Sequence, residues 1–305
     1  MPRPIGFVGV GIMGGRMCRN LVKGGFQALV HDASPAALAA AGAIGAEVAG
    51  DLATLARQVE VVLLSLPTPD IVLSVLEGPD SLLAHLPPSS TVCDLSTGDP
   101  GTARKIHAAA QAKAIHALDC PVSGGPTGAE AGTLTIMAGG DPADLARVRR
   151  VLETIGTKIV HCGGPGTGQA AKLVNQALVG IQSVAAFEAL LVGRKAGLDL
   201  NTMFTILQSS SGRSWMLENH LRTQALSGNF EPGFALDWMF KDLKLFVQAA
   251  AELEAPAVLS SLALQLYNAA RAGGQGRTDQ TIVAKILEAM AGVELGKLRA
   301  PVGDS

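Results

Sequence analysis

A chain of 305 residues has room for about two domains, and its 24 Lys and Arg against 26 Asp and Glu leave a formal charge of −2, without the basic excess of a nucleic-acid binder. Aromatic residues make up 4% and tyrosine occurs once, too few for base stacking or an aromatic membrane belt. Hydrophobic content of 48% with 16% charged residues excludes a disordered chain, and glycine, 36 residues or about 12% against a usual level of about 7%, is the informative excess.

Short β-branched runs at 5–8, 28–31, 59–65, 91–95, 114–118, 133–137 and 158–161 alternate with helical stretches, the pattern of a parallel sheet covered by helices on both faces. Ser34-Pro35, Asp99-Pro100 and Asp141-Pro142 are start signals for three of those helices, a capping side chain followed by proline at the first helical position. After residue 162 the alternation stops. Gly163 to Gly168 contains four glycines and is expected to join two domains, an α/β domain over 1–163 and an all-helical domain over 164–305 with helices at 169–196, 201–208, 238–253, 256–271 and 279–290. The tail after Leu298 is expected to fray.

The N-terminal apolar run 5–13 is broken by glycines and lacks a clear cleavage site, unlike a signal peptide. The apolar stretch 170–192 carries Lys172, Asn175, Gln176, Gln182 and Glu188, and is expected to be a buried helix rather than a membrane span. Cys18, Cys93, Cys120 and Cys162 show no CxxC or metal-finger spacing, so a reduced cytoplasmic protein without a metal is expected.

The turn Gly9-Val10-Gly11-Ile12-Met13-Gly14 follows the first strand and opens a helix. In that context the first glycine permits a tight turn, the second lets backbone approach a pyrophosphate, and the third lets helix pack on strand. Asp32 ends the second strand, where a carboxylate accepts from the hydroxyls of an adenosine ribose. A glycine-rich turn with a capping aspartate is the bland alternative. Ser123-Gly124-Gly125 follows another strand and offers N–H groups to a carboxylate, or is simply a structural turn. Lys172, Asn175 and Gln176 stand at i, i+3 and i+4 and share a helix face. A helical lysine is usually solvated, but an ammonium beside amides at a domain junction suits proton transfer to or from an alcohol. Lys241-Asp242 is a second candidate, with a surface ion pair as its alternative.

Taken as a set, Gly9-x-Gly11-Ile12-Met13-Gly14-x-x-Met17-x-x-Asn20-Leu21, Leu66-Pro67, Asp94-x-Ser96-Thr97-x-x-Pro100, Pro121-Val122-Ser123-Gly124-Gly125 with Gly132-Thr133-Leu134, Gly166-x-Gly168-x-x-x-Lys172-x-x-Asn175 and Lys241-Asp242-Leu243 resemble the signature blocks of the β-hydroxyacid dehydrogenases. The resemblance implies a Rossmann domain followed by a helical domain whose long first helix supports a homodimer or homotetramer. It implies hydride transfer between a nicotinamide and a short β-hydroxy acid, with Lys172 as acid/base and Asn175 holding substrate. Ser123, Gly124 and Gly125 would bind the substrate carboxylate, and Lys241 would lie near the nicotinamide and the substrate. Gly9, Gly11, Ile12, Met13, Gly14, Asp32, Leu66, Pro67 and Thr97 would contact the cofactor. NAD is expected, because Asp32 repels a 2′-phosphate and Ala33 stands where NADP-dependent members tend to carry arginine; Ser34 leaves some use of NADP open.

Gln176 departs from the family, which often has a second asparagine there, and this bears on substrate positioning. An imine reductase on the same scaffold would be expected to replace the lysine, and a dinucleotide-binding scaffold without turnover would be expected to lose the catalytic set; here both are intact. Selectivity is expected from 209–215 and 229–234, where Arg213 either makes a second carboxylate contact or is a surface arginine.

Overall fold

Aliphatic and β-branched runs bounded by turn residues become the strands of the computed structural model, which describes residues 3–298; the tail expected to fray lies outside them. The first half runs β1 (Ile5–Val8), α1 (Gly14–Lys23), β2 (Ala28–His31), α2 (Pro35–Ala43), β3 (Glu47–Val48), α3 (Leu52–Gln58) and β4 (Val61–Leu64). It continues through α4 (Pro69–Leu76), α5 (Leu82–His85), β5 (Thr91–Asp94), α6 (Pro100–Gln111) and β6 (His116–Asp119). Then follow β7 (Val122–Ser123), α7 (Gly125–Ala131), β8 (Leu134–Gly139), α8 (Pro142–Leu152) and β9 (Gly156–Gly163).

The strands lie in the order β3-β2-β1-β4-β5-β6-β8-β7, with β9 on β8, and every pairing from β3 to β6 is parallel. This is a doubly wound dinucleotide-binding sheet. The expected all-parallel pattern fails at β8, which runs antiparallel to β6 and β7. Residues 124–133 return the chain from β7 to β8 through a short helix, too few for a parallel crossover. β3 and β7, two residues each, are too short to produce an alternation in the sequence. β6 starts later than expected because Ala114, with φ +55°, belongs to the turn that closes α6.

The three anticipated caps form: Ser34 accepts from the N–H of Ala37, Asp99 from Thr102 and Asp141 from Ala143, each with proline just inside the helix. Thr68-Pro69 is a fourth start of this kind, for α4. Alternating strand residues divide between two cores. Phe7, Leu63, Cys93 and Leu118 pack with Leu21 of α1 and Val148 of α8; Val8, Leu29, Leu64 and Val92 pack on the opposite face with Leu55, Leu76 and Ile106. Each fully buried aliphatic side chain contributes about 1.5–3 kcal/mol of transfer free energy.

The second half is helical: α9 (Thr167–Lys195), α10 (Leu200–Ser209), α11 (Leu236–Glu252), α12 (Val258–Ala270) and α13 (Val283–Ala291). A π-helical turn at Met216–Leu221 and a kink at Arg271–Gln275, where Gly274 takes φ +81°, were not expected. Phe187, Leu190, Leu217, Leu243, Tyr267 and Leu287 share its core. By length and composition α9 is apolar enough to cross a membrane, yet Gln169, Lys172, Gln176 and Ser183 are buried on it and Phe187 and Leu190 belong to a protein core. The compact units are Met1–Leu173 and Val174–Ser305, divided ten residues beyond the expected junction and inside α9.

Candidate active site

In a doubly wound sheet, ligands bind beyond the carboxyl ends of the strands, and here β1, β4, β5 and β6 end side by side. Gly9 leaves β1 at φ +87°, and a Cβ on it would sit 2.3 Å from the Ser65 carbonyl oxygen. A Cβ on Gly14 would meet the Gly9 carbonyl oxygen at 1.8 Å, so the turn folds back on itself only without side chains. Gly11 is different: a Cβ there meets nothing within 4 Å, and the neighbouring Ile12 is 69% exposed. Met13 precedes α1 without a side-chain cap, and the Gly15 N–H donates to the Gly11 carbonyl at 2.8 Å, so an anion at this helix start meets no competing side-chain cap.

Asp32 takes the Val10 N–H at 2.7 Å on one oxygen and the Ser34 N–H at 2.8 Å on the other. Asp32 thus ties the end of β2 to the glycine turn, while the cap of α2 is Ser34. An ionised carboxylate has about four acceptor sites, so two ribose hydroxyls can still be received. The open face at Gly11, the uncapped helix start and this half-exposed acid fit a nicotinamide dinucleotide.

Along the strand ends a buried polar network links β4, β5, β6 and the start of α9. The Leu66 N–H donates to Ser96 Oγ at 2.9 Å, and the Ser96 N–H donates to Asp94 Oδ1 at 3.0 Å. Gln169, 1% exposed, donates from Nε2 to the Ser96 carbonyl at 2.8 Å and accepts from the Gly98 N–H on Oε1 at 2.8 Å. Asp119 ends β6 and accepts the N–H groups of Gly166 and Gln169 at 2.8 and 2.9 Å, with His107 Nε2 at 3.2 Å from the same carboxylate. Gly168 packs so tightly that a Cβ would lie 2.3 Å from the Asp119 carbonyl oxygen and 2.4 Å from that of Met137. Gly166 and Gly168 of the glycine run therefore clamp the start of α9 to the sheet. One helical turn beyond Gln169 stands Lys172, 7% exposed.

Thr97 and Leu66 are partly buried on these loops, Pro67 is exposed, and Ser123, Gly124 and Gly125 lie at the turn from β7 into α7, partly or fully exposed. Cys18, Cys93 and Cys120 are buried free thiols. Burial pushes the Cys18 thiol up to about 11, and a hydrogen bond with Cys93 together with burial raises Cys120 well above the ordinary range. They are core residues, and no cluster able to hold a metal occurs among the described residues.

In the second unit Asp242 is 2% exposed and receives Gln176 Nε2 at 2.7 Å, while Lys241 Nζ lies 3.1 Å from its other oxygen. This ion pair is buried at the acid, not on the surface. A carboxylate only accepts, so Gln176 turns its nitrogen to Asp242 and its oxygen to Asn175, which donates through Nδ2 at 3.0 Å. The departure at Gln176 thus orients Asn175: its Oδ1 is directed away from Gln176 as an acceptor. Arg213, 64% exposed in its side chain, pairs with Glu218 at 3.1 Å.

The loop at 229–234 is pinned by Asp279, 0% exposed, which accepts from the N–H groups of Gly233 and Phe234 at 3.1 and 3.0 Å and has His220 Nε2 at 3.1 Å. Burial opposes its charge, but the bonds from His220, Phe234 and Thr281 outweigh burial and hold the carboxyl below its usual 3.8. Asp119, Gln169 and Asp279 have no assigned role in the sequence reading, and Asp242 enters it only as the partner of Lys241. Their signal is an acidic or amide side chain in an otherwise apolar context, which becomes informative only with its partners.

Sheet order, glycine turn and terminal acid define a nicotinamide-dinucleotide oxidoreductase. A family model for the NAD-binding domain of 6-phosphogluconate dehydrogenase matches residues 4–164, and one for the NAD-binding of NADP-dependent 3-hydroxyisobutyrate dehydrogenase matches 166–287. The chain is 39% identical over 291 residues to 2-(hydroxymethyl)glutarate dehydrogenase from Eubacterium barkeri, covering 95% of this chain and 97% of that one. It is 36% identical to NAD-dependent L-serine dehydrogenase from Pseudomonas aeruginosa, covering 95% and 99%. The structure of Mycobacterium tuberculosis 3-hydroxyisobutyrate dehydrogenase with L-serine superposes with a TM-score of 0.88 at 35% identity, covering 94% of this chain and 99% of that one. Imine reductases are 17–20% identical, a likeness of fold alone. The chain belongs to the β-hydroxyacid dehydrogenases, the NAD(P)-dependent oxidoreductases that include 3-hydroxyisobutyrate dehydrogenase.

Proposed function

We propose that this enzyme interconverts a short β-hydroxy acid and its semialdehyde or oxo acid, with Lys172 taking the alcohol proton in oxidation and returning it in reduction. The observation that carries this is a lysine drawn out of water one turn beyond a helix start clamped to the carboxyl edge of the sheet. When bound, the nicotinamide exchanges hydride with the hydroxyl-bearing carbon. Lys172 handles the proton at the oxygen, a task worth roughly 10²–10⁴-fold when the group is positioned. Ser123 and the N–H groups of Gly124 and Gly125 receive the substrate carboxylate, Asn175 Oδ1 accepts from a substrate hydroxyl, and Lys241 adds positive charge near substrate and cofactor. Gly9 to Gly14, Asp32, Leu66, Pro67 and Thr97 hold the cofactor, for which NAD is preferred. The named relatives support the substrate class, since hydroxymethylglutarate, serine and 3-hydroxyisobutyrate all place an alcohol β to a carboxylate.

A homodimer or homotetramer in a reducing cytoplasm completes the reading, supported by four free cysteines and by exposed apolar residues on α9. The test is a panel of 3-hydroxyisobutyrate, D-glycerate, L-serine, L-threonate and 4-hydroxybutyrate with each cofactor. Lys172→Ala lowers kcat on the best substrate by roughly 10²–10⁴-fold with NADH binding nearly intact, and Lys172→Arg fails almost as badly because a guanidinium does not release its proton. Wild-type kcat in Lys172→Ala overturns the mechanism.

A further inference from the structure

We propose that Gln169 is a positioning residue that sets the geometry of Lys172 by locking the first turn of α9 to the loop after β5. This rests on the reading of Lys172 as proton carrier. A carboxamide carries a donor and an acceptor side by side, and Gln169 spends one on the Ser96 carbonyl and the other on the Gly98 N–H, both at 2.8 Å. Its own N–H is bound to Asp119 Oδ2 at 2.9 Å. Residue 169 is thus fixed at three points, to the loop carrying Thr97 and to the end of β6, with its side chain 1% exposed.

Helical side chains lean toward the N-terminus, so the stem of Lys172 lies over the turn that Gly168 and Gln169 form. Any slip of that turn moves the ammonium relative to the loop that carries Thr97. A displacement of about 1 Å in a reacting group can cost about 10²-fold in rate. Leucine at 169 fills the space with neither bond, whereas glutamate keeps the shape but sets a carboxylate oxygen against the Ser96 carbonyl.

A four-enzyme cycle tests this: parent, Gln169→Leu, Lys172→Ala and the double variant, assayed at saturating NAD on the panel alcohol the parent oxidises fastest, with thermal unfolding recorded for each. Gln169→Leu is expected to lower kcat about 10–10²-fold in the parent and less than about two-fold in the Lys172→Ala background, because a residue acting through Lys172 has nothing left to position. Equal losses in both backgrounds mean that Gln169 acts elsewhere and overturn the inference, as does a kcat within about two-fold of the parent. Wild-type kcat in Lys172→Ala overturns the reading of Lys172 and the inference with it; a large loss there beside an active Gln169→Leu overturns the inference alone. If Gln169→Leu does not fold, Gln169→Glu takes its place in the cycle, and if neither folds the residue is structural and the proposal fails.

Discussion

At the residue scale, Asp32 combines two duties that a sequence shows only as one letter. It closes the glycine turn through Val10 and begins the next through Ser34, and it stays half-exposed beside a short, uncharged Ala33. A carboxylate there attracts ribose hydroxyls and repels a 2′-phosphate. We expect kcat/KM to be higher with NADH than with NADPH, and Asp32→Ser with Ala33→Arg to reverse the order; a parent enzyme that favours NADPH refutes the assignment. The glycine turn and Asp32 were legible because their spacing is a local matter. Gln169 and Asp119 were not, since the bonds by which they clamp the start of α9 to the sheet join groups 47 to 73 residues apart in the chain.

At the element scale, α9 begins where it does because Gly168 admits two carbonyl oxygens into the space a side chain would fill. Both obstacles are backbone and cannot swing aside. Gly168→Ala is therefore expected to destabilise the protein by about 1–3 kcal/mol or more, read as a lower denaturant midpoint; unchanged stability contradicts the close approach. A second element depends on Asp279, whose carboxyl holds the 229–234 loop and the Thr281 N–H. Because its folded pKa is depressed, its contribution is complete above the unfolded value near 3.8 and is lost as pH falls through the folded value. Asp279→Asn should then cost about 1.5–3 kcal/mol between about pH 5 and 8, and the gap to the parent should narrow below about pH 4. Denaturation curves across that range check it, and a gap that is independent of pH refutes it.

At the scale of the whole molecule, α9 leaves Val174, Leu178 and Val192 more than half exposed, and α12 does the same with Val258, Leu259 and Leu262. Apolar surface of this kind on a helix is normally covered, and a symmetric copy is the simplest cover. Light scattering should return two or four times the 31.2 kDa of one chain, and Leu178→Asp should shift the protein toward monomer; a monomeric parent contradicts this. What the sequence determined by itself is whatever depends on neighbours in the chain: strand and helix alternation, the Ser34, Asp99 and Asp141 caps, the glycine turn and the i, i+3, i+4 face of Lys172, Asn175 and Gln176. Tertiary structure alone decided the antiparallel β8 and the hydrogen-bonded settings of Gln169 and Gln176. The reason is physical. Periodicity and capping follow from bonds over a few residues, whereas a buried carboxylate or amide must find its partner wherever the fold brings one within about 3 Å, and that distance is not encoded in spacing along the chain.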